Sequence, residues 1–327
     1  MEASKPHTRV VPADPGAVAE AASVLISGGL VAMPTETVYG LAADATSDEA
    51  VARIFAAKGR PSFNPLIAHV ADVAAARKQG LLNADASLLA QSFWPGPLTL
   101  VVPVAPTCTV SLLARSGLDT LALRVPSEGT ARALIAATGR PLAAPSANRS
   151  GRISPTSAAH VLQELDGQVD VILDAGQARH GVESTIVACV GPRPVLLRPG
   201  AISREEVESV LGASVASESE TPANPTAPGQ LGSHYAPNAA VRLEAWFVEP
   251  DEAVLDFGGA LSGAAAATRL DLSPAGDLSE AAANLFAFLR LLDASGVDRI
   301  AVAPIPSHGL GAAINDRLRR AAAQRSA

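Results

Sequence analysis

The chain has 327 residues, 48% hydrophobic and 17% charged, which leaves room for two hydrophobic cores in a globular protein. A formal net charge of −7 excludes a surface that attracts nucleic acid as a whole, so any basic patch must be local. No run approaches a membrane span, no apolar signal-peptide core follows Met1, and neither Cys108 and Cys189 nor the scattered histidines have metal-ligand spacing; a cytoplasmic chain with free thiols is expected.

In chain order, Asp14-Pro15 starts a helix through Val18, Ala21, Ala22 and Leu25 that Gly28-Gly29 ends. Leu30 to Met33 reads as a buried strand cut off by Pro34. Ser47 caps a helix that carries Asp48 and Glu49 in its first turn and Lys58 in its last, with Gly59 as the stop. Leu66 to Val70 returns as a strand. A helix around Ser87 to Phe93 precedes the strand Leu98 to Val104, and Leu121 to Val125 is another strand. Gly129 to Thr138 and Thr156 to Leu165 read as helices. Val169 to Leu173, Ser184 to Val190 and Val195 to Leu197 read as strands. Ser203-Arg204-Glu205-Glu206 is a capping box for a helix ending near Gly212.

From Ala213 to Pro228 the composition turns to Ser, Glu, Thr, Pro and Ala, a linker with too few large apolar residues to pack. Beyond it, Val241 to Val248, Ala253 to Phe257 and Arg299 to Ala303 look like strands, Leu278 to Leu292 is an amphipathic helix, and Ile314 to Arg320 belongs to a last one. Residues 1–212, 213–238 and 239–327 are therefore expected to be a main α/β domain, a linker or lid, and a small α/β domain.

Hydroxyls follow the first strand at Thr35 and Thr37, and Lys58-Gly59-Arg60-Pro61 stands between the helix and the next strand. Paired cations held between Gly and Pro, flanked by hydroxyls and amides, suit an anionic small molecule. No G-x-x-x-x-G-K-[ST] or G-x-G-x-x-G occurs in the right context, so a nucleotide's phosphates must be held by other groups. Lys58, Arg60, the Ser146 and Asn148 loop and Arg198 are candidates at strand ends, where open α/β sheets bind ligands. Ser146 lacks a nucleophile elbow. Glu36 and Glu183 are readable as an acid/base pair, as solvated carboxylates or as arginine partners.

Pro34-Thr35-Glu36-Thr37-Val38-Tyr39-Gly40-Leu41, Lys58-x-Arg60-Pro61, Ser146-x-Asn148, Ser154-Pro155-Thr156, Gly181-x-Glu183-Ser184-Thr185 and Leu197-Arg198-Pro199-Gly200 together closely resemble the YrdC-like family. Ser233-His234-Tyr235-Ala236-Pro237 and Gly309-Leu310-Gly311 to Asn315-Asp316-Arg317 look like its longer, two-domain members. The resemblance implies a twisted mixed sheet with helices, followed by a small Rossmann-like C-terminal α/β domain. It also implies an enzyme that joins L-threonine, bicarbonate and ATP into threonylcarbamoyl-AMP, with release of pyrophosphate, for a tRNA modification. Lys58 and Arg60 would be catalytic. Thr37, His69, Arg124, Ser184 and backbone around Ala144 would face threonine. Arg60, Asn64, Ser146, Asn148, Ser154 and Arg198 would face the nucleotide, with Tyr235 closing from the linker. Mg²⁺ would accompany ATP with few protein ligands, and the downstream transferase and tRNA are implied partners. The chain departs from the usual pattern at Ser127-Glu128-Gly129, where many relatives carry a His, at Asp174-Ala175-Gly176, and at Gln230.

A second reading is a double-stranded RNA-binding module, against which stands the lack of an aromatic-basic stripe. A third is a carbamoyl-transfer domain of the hydrogenase-maturation type, which usually travels with zinc-finger and acylphosphatase segments; neither is found in this sequence. The places of Lys58 and Arg60, at a helix end and in a loop, predict that truncating either costs little stability.

Overall fold

The computed structural model describes residues 7–217, 234–263, 266 and 268–323. Among them, eleven strands form one mixed sheet. Its order is Arg9–Pro12, Val171–Asp174, Val31–Met33, Gly40–Asp44, Leu142–Ala143, Ile67–His69, Thr120–Arg124, Leu98–Pro103, Thr185–Ala188, Val195–Arg198 and Ala216–Ser217. Alternation along the strands divides the core. Leu30 and Ala32 pack on one face with Val51 and Ile54 of the helix Asp48–Lys58, while Val31 and Met33 meet Ala21 and Leu25 of the helix Pro15–Ile26 on the other. A smaller cluster of Ile67, Val101, Ala122, Ile186 and Ala188 draws no member from a helix, and Ile67 from it reaches the cleft described below.

Four further strands, Ala240–Arg242, Arg299–Val302, Glu252–Asp256 and Arg269–Asp271, pair in parallel as a second sheet, against which the helices Leu278–Ala294 and Gly311–Ala322 pack. All-parallel pairing with helical connections is the pattern of a Rossmann-like unit. The second core also takes in Val38, Ile153 and Val182 from the first unit, and Arg290 reaches back to Glu164 at 3.1 Å.

Several elements differ from expectation. Gly40–Asp44 is a strand built of Gly, Leu, Ala and Asp, without the β-branched residues that mark strands. Arg9–Pro12, Leu142–Ala143, Arg269–Asp271 and the helix Val73–Gln79 are also additions. The run from Val241 to Val248 is a strand only as far as Arg242, because Glu244 turns to φ 52° and Trp246 and Phe247 stand exposed. The start of the linker is not free chain, since Ala216–Ser217 pairs with Val195 and Leu196 at the sheet edge. Most of the linker, residues 218–233, lies outside the described residues. Among the described residues, no helix is long and apolar enough to cross a membrane.

Candidate functional site

The cleft is lined by loops and strand ends of the first unit and by His234 and Tyr235, at the end of the linker. Its lining includes Thr37, Arg60, Ile67, His69, Arg124, Ala144 to Ser146, Glu183, Ser184, Arg198, His234 and Tyr235.

The loop after Met33 folds on its own hydroxyl. Thr35 Oγ1 donates to the Val38 carbonyl at 2.6 Å and lies 2.8 Å from Thr37 Oγ1. A hydroxyl has one proton, so Thr37 donates to Thr35 and keeps its lone pairs for the cleft. Glu36, from the same loop, accepts from Arg124 Nη2 at 2.7 Å, with both side chains buried. Burial alone would raise the Glu36 pKa, but Arg124 outweighs it and the net shift is downward. Arg124 Nε, also buried, has no partner among the described residues.

Two cations flank the left-handed stop at Gly59. Lys58 is 3% exposed, and its ammonium donates to the carbonyls of Ser146 and, at 2.5 Å, Asn148. Burial, then the charge of Arg60, pulls its pKa well below the ordinary lysine value. Lys58 does not line the cleft. It tethers the 146–148 loop, and residues 145–147 also exchange backbone hydrogen bonds with the strand Gly40–Asp44 and its approach: Leu41 N donates to Pro145 O at 2.7 Å and Ala147 N donates to Tyr39 O at 2.8 Å. Arg60 does line the cleft, steadied by the carbonyls of Asn64 and Pro65 at 3.2–3.4 Å and lowered to about 10 by burial. Both cations are therefore buried and bonded, and the expectation that truncating them costs little stability is corrected.

Arg198 donates from Nε and Nη2 to the Ser184 carbonyl at 3.1 and 2.9 Å, and from Nη2 to Ser184 Oγ at 3.1 Å. Ser184 Oγ also lies 2.8 Å from Thr99 Oγ1. The turn after Arg198 needs Gly200, where a Cβ would fall within 2.3 Å of the Thr185 nitrogen and 2.5 Å of the Glu183 carbonyl oxygen. Glu183 is an arginine partner and not half of an acid/base pair. It accepts from Ser154 Oγ at 2.6 Å and from Arg317 Nε at 2.8 Å. Burial would raise Glu183, but Arg317 and Arg198 bring it down to about 2.

His69 hydrogen-bonds the Ile67 carbonyl through Nδ1 at 3.3 Å, and burial, with Arg124 nearby, brings its pKa to about 3. It is a neutral group at physiological pH. His234 is likewise brought to about 3, by burial first, and Tyr235 is raised to about 12 by burial. Tyr235 adopts φ 62°, a left-handed conformation that bulky residues rarely take, and its ring stacks on Phe286 at 5.3 Å.

Of the expected residues, Thr37, Arg60, His69, Arg124, Ala144, Ser146, Ser184, Arg198 and Tyr235 converge on this one cleft. Lys58, Asn64, Asn148 and Ser154 stand behind the lining, with the Oδ1 atoms of both asparagines buried and without a partner among the described residues. His234 and Arg317 were legible only as parts of motifs, and Thr99 carried no signal. The cavity is only about 50 Å³ with Tyr235 and His234 in place. Among the described residues, no group of three or more His, Cys, Asp and Glu side chains is arranged to hold a metal.

Residues 23–200 match the Sua5, YciO and YrdC family, described as telomere recombination, and residues 202–323 match the threonylcarbamoyl-AMP synthase C-terminal domain. The chain is 42% identical to the threonylcarbamoyl-AMP synthase of Pyrococcus abyssi, over 93% of this chain and 94% of that one. It is 40% identical to the Bacillus subtilis protein of the same name, over 94% and 93%. Its fold superposes on the crystal structure of P. abyssi Sua5 complexed with L-threonine with a TM-score of 0.88, at 38% identity over 97% of each chain. The chain belongs to the threonylcarbamoyl-AMP synthase family, in its two-domain form.

Proposed function

We propose that this cleft joins L-threonine, bicarbonate and ATP into threonylcarbamoyl-AMP, releasing pyrophosphate, to supply the threonylcarbamoyl group of a tRNA modification. One observation carries the reading. Three buried guanidiniums, those of Arg60, Arg124 and Arg198, meet in a cleft whose one lining carboxylate is already paired. Such a cleft suits an anionic nucleophile and a polyphosphate, and its lining carboxylate is held by an arginine and is not free to act as a base.

The amine of threonine and bicarbonate condense to a carbamate, the N–C bond forming as a C–O bond of bicarbonate breaks and water leaves, and the carbamate oxygen is already nucleophilic. Its attack on the α-phosphorus forms the new P–O bond while the bond to pyrophosphate breaks, a step that needs alignment and charge neutralisation. Thr37, His69, Arg124, Ser184 and backbone at Ala144 form the threonine end. Arg60, Ser146, Arg198 and Tyr235 form the nucleotide end, with Lys58, Asn64, Asn148 and Ser154 holding its walls. Mg²⁺ comes with ATP in this proposal. Glu36 and Glu183 are each held by an arginine, so the residues present suit an ion carried on phosphate oxygens and water. When bound, it offsets phosphate charge. Delivery to a transferase and its tRNA, in the cytoplasm where Cys108 and Cys189 stay free thiols, completes the proposal.

The small volume of the cavity supports a gating role for the segment at Tyr235. About 50 Å³ is far below the roughly 300 Å³ of the smallest usual ligand pockets, so His234 and Tyr235 must swing aside to admit ATP and return to exclude water from a hydrolysable product. Incubating purified protein with ATP, bicarbonate and single amino acids tests the whole reading. Pyrophosphate release with threonine, and none without it, is expected; release independent of threonine would overturn it.

A further inference from the structure

Arg317, on the helix Gly311–Ala322, is the largest side chain among the described residues to be wholly buried. A guanidinium out of water is costly unless it is paired, and two of its three hydrogen bonds among the described residues lead to the other unit. Nε donates to Glu183 Oε2 at 2.8 Å and Nη1 to the Pro199 carbonyl at 2.8 Å, next in sequence to Arg198. Nη1 also meets Asp316 at 2.7 Å, its one partner within the helix, and Nη2 has no partner among the described residues. The guanidinium carbon lies 5.4 Å from the centroid of the Tyr235 ring, which Phe286, also of the second unit, stacks against.

We infer that Arg317 is a positioning residue for the nucleotide end of the cleft: it cancels the Glu183 carboxylate, and through Glu183, Pro199 and the Tyr235 ring it sets Ser154, Arg198 and the 234–237 segment in place. The inference rests on the reading above for the identity of the anion, ATP. Two independent arguments carry it. The first is charge. Glu183 lines the cavity, is ionised, and in a dry cleft would repel the phosphates that Arg60 and Arg198 attract. The second is geometry. Tyr235 sits at φ 62°, a conformation that persists only when neighbours fix it; besides the adjoining His234, whose ring meets it edge-on at 4.1 Å, the side chains against its ring, Arg317 and Phe286, both come from the second unit. The second unit thus contributes to the site through a contact and not only through the chain link.

Calorimetric titration of ATP and of threonine, beside unfolding temperature, tests this on the full-length protein. Arg317→Met is expected to weaken ATP binding roughly tenfold to a hundredfold and threonine binding less than about threefold. Adding Glu183→Gln to it removes the uncompensated charge and should recover most of the ATP loss, which a contact of purely structural value would not do. If Arg317→Met does not fold, Arg317→Lys keeps the charge and should hold ATP binding within roughly tenfold of wild type while losing the Pro199 contact. ATP binding unchanged in Arg317→Met, equal loss of ATP and threonine in whichever single variant folds, or no recovery in the double variant would each overturn the inference. Pyrophosphate release is scored separately. A wild type that binds ATP but never releases pyrophosphate with threonine defeats the synthase reading and leaves the ATP titrations to decide Arg317; one that binds no ATP defeats both.

Discussion

In the cleft lining Arg124 is met by Glu36, and Glu183 is met by Arg317. Both are buried arginine–glutamate pairs at 2.7–2.8 Å, yet opposite members face the ligand. Arg124 lines the cavity and Glu36 stands behind it; Glu183 lines the cavity and Arg317 stands behind it. The first carboxylate aims a cation, and the second is a carboxylate that a cation silences. The first pair is local to one sheet, whereas the second spans the two units. The same pair chemistry therefore serves charge presentation in one place and charge removal in the other, and only the position of the cavity tells which.

The largest expected effect tests whether the Arg124 end reads threonine's side chain. Thr37 and Ser184 offer hydroxyl partners there, and a buried partner left unpaired costs more than a missing methyl. Valine should be turned over roughly 10⁴-fold less efficiently than threonine, and serine roughly 10- to 200-fold less, in pyrophosphate release. Equal rates for valine and threonine would show that this end does not read the hydroxyl.

Breaking the Arg124 pair comes next. Arg124→Leu strands a buried carboxylate and should cost about 3–5 kcal/mol in urea unfolding. Arg124→Leu with Glu36→Leu should regain most of that stability without regaining threonine turnover. If activity returned with stability, Arg124 would be a structural cation and the contrast between the pairs would fail.

Lys58→Met removes the donor from two loop carbonyls, a loss of about 2–3 kcal/mol, and should lower turnover roughly a hundredfold by loosening the nucleotide-end wall. Activity near wild type would show that the loop needs no tether.

A pH series compares the two buried histidines of the cleft. His69 and His234 have folded pKa values of about 3, below the ordinary 6.5. A histidine depressed on folding binds its proton only in the unfolded chain between those values. Stability is therefore complete above pH 6.5 and falls as pH drops towards 3, by about 1.4 kcal/mol per pH unit per group. His69→Gln should flatten the slope by that amount between pH 6 and 4. His234→Gln should match it only if the 234–237 segment stays closed in the free protein; an unchanged slope would mean that it lifts.

Much of this fold was legible because the signals were local. Asp14, Ser47 and Ser203 cap helices where expected, and the largely apolar run Leu98 to Val102, interrupted by Thr99, is a buried strand. The strand Gly40–Asp44 was not, because small residues buried on both faces carry no period. In the site, the ordered motifs named the loops that converge, but not which residue would line the cavity and which would stand behind it. Lys58 and Arg60 are two positions apart and look alike in sequence, yet one holds a loop and the other faces the cleft. Glu183 and Arg317 are 134 residues apart, so no spacing rule couples them.

Gly181 meets the second unit so closely that a Cβ there would come within 2.3 Å of the Ala282 carbonyl oxygen and 2.5 Å of the Ala283 Cα. The two halves thus fit backbone against backbone, beside Val38, Ile153 and Val182, which belong to the second core. A fragment cut after residue 212 would keep nearly all of the large sheet and still be an adhesive protein, showing water three aliphatic side chains meant for its neighbour. Split-protein complementation should be efficient when the two fragments are expressed together, and any bulk added at position 181 should abolish it.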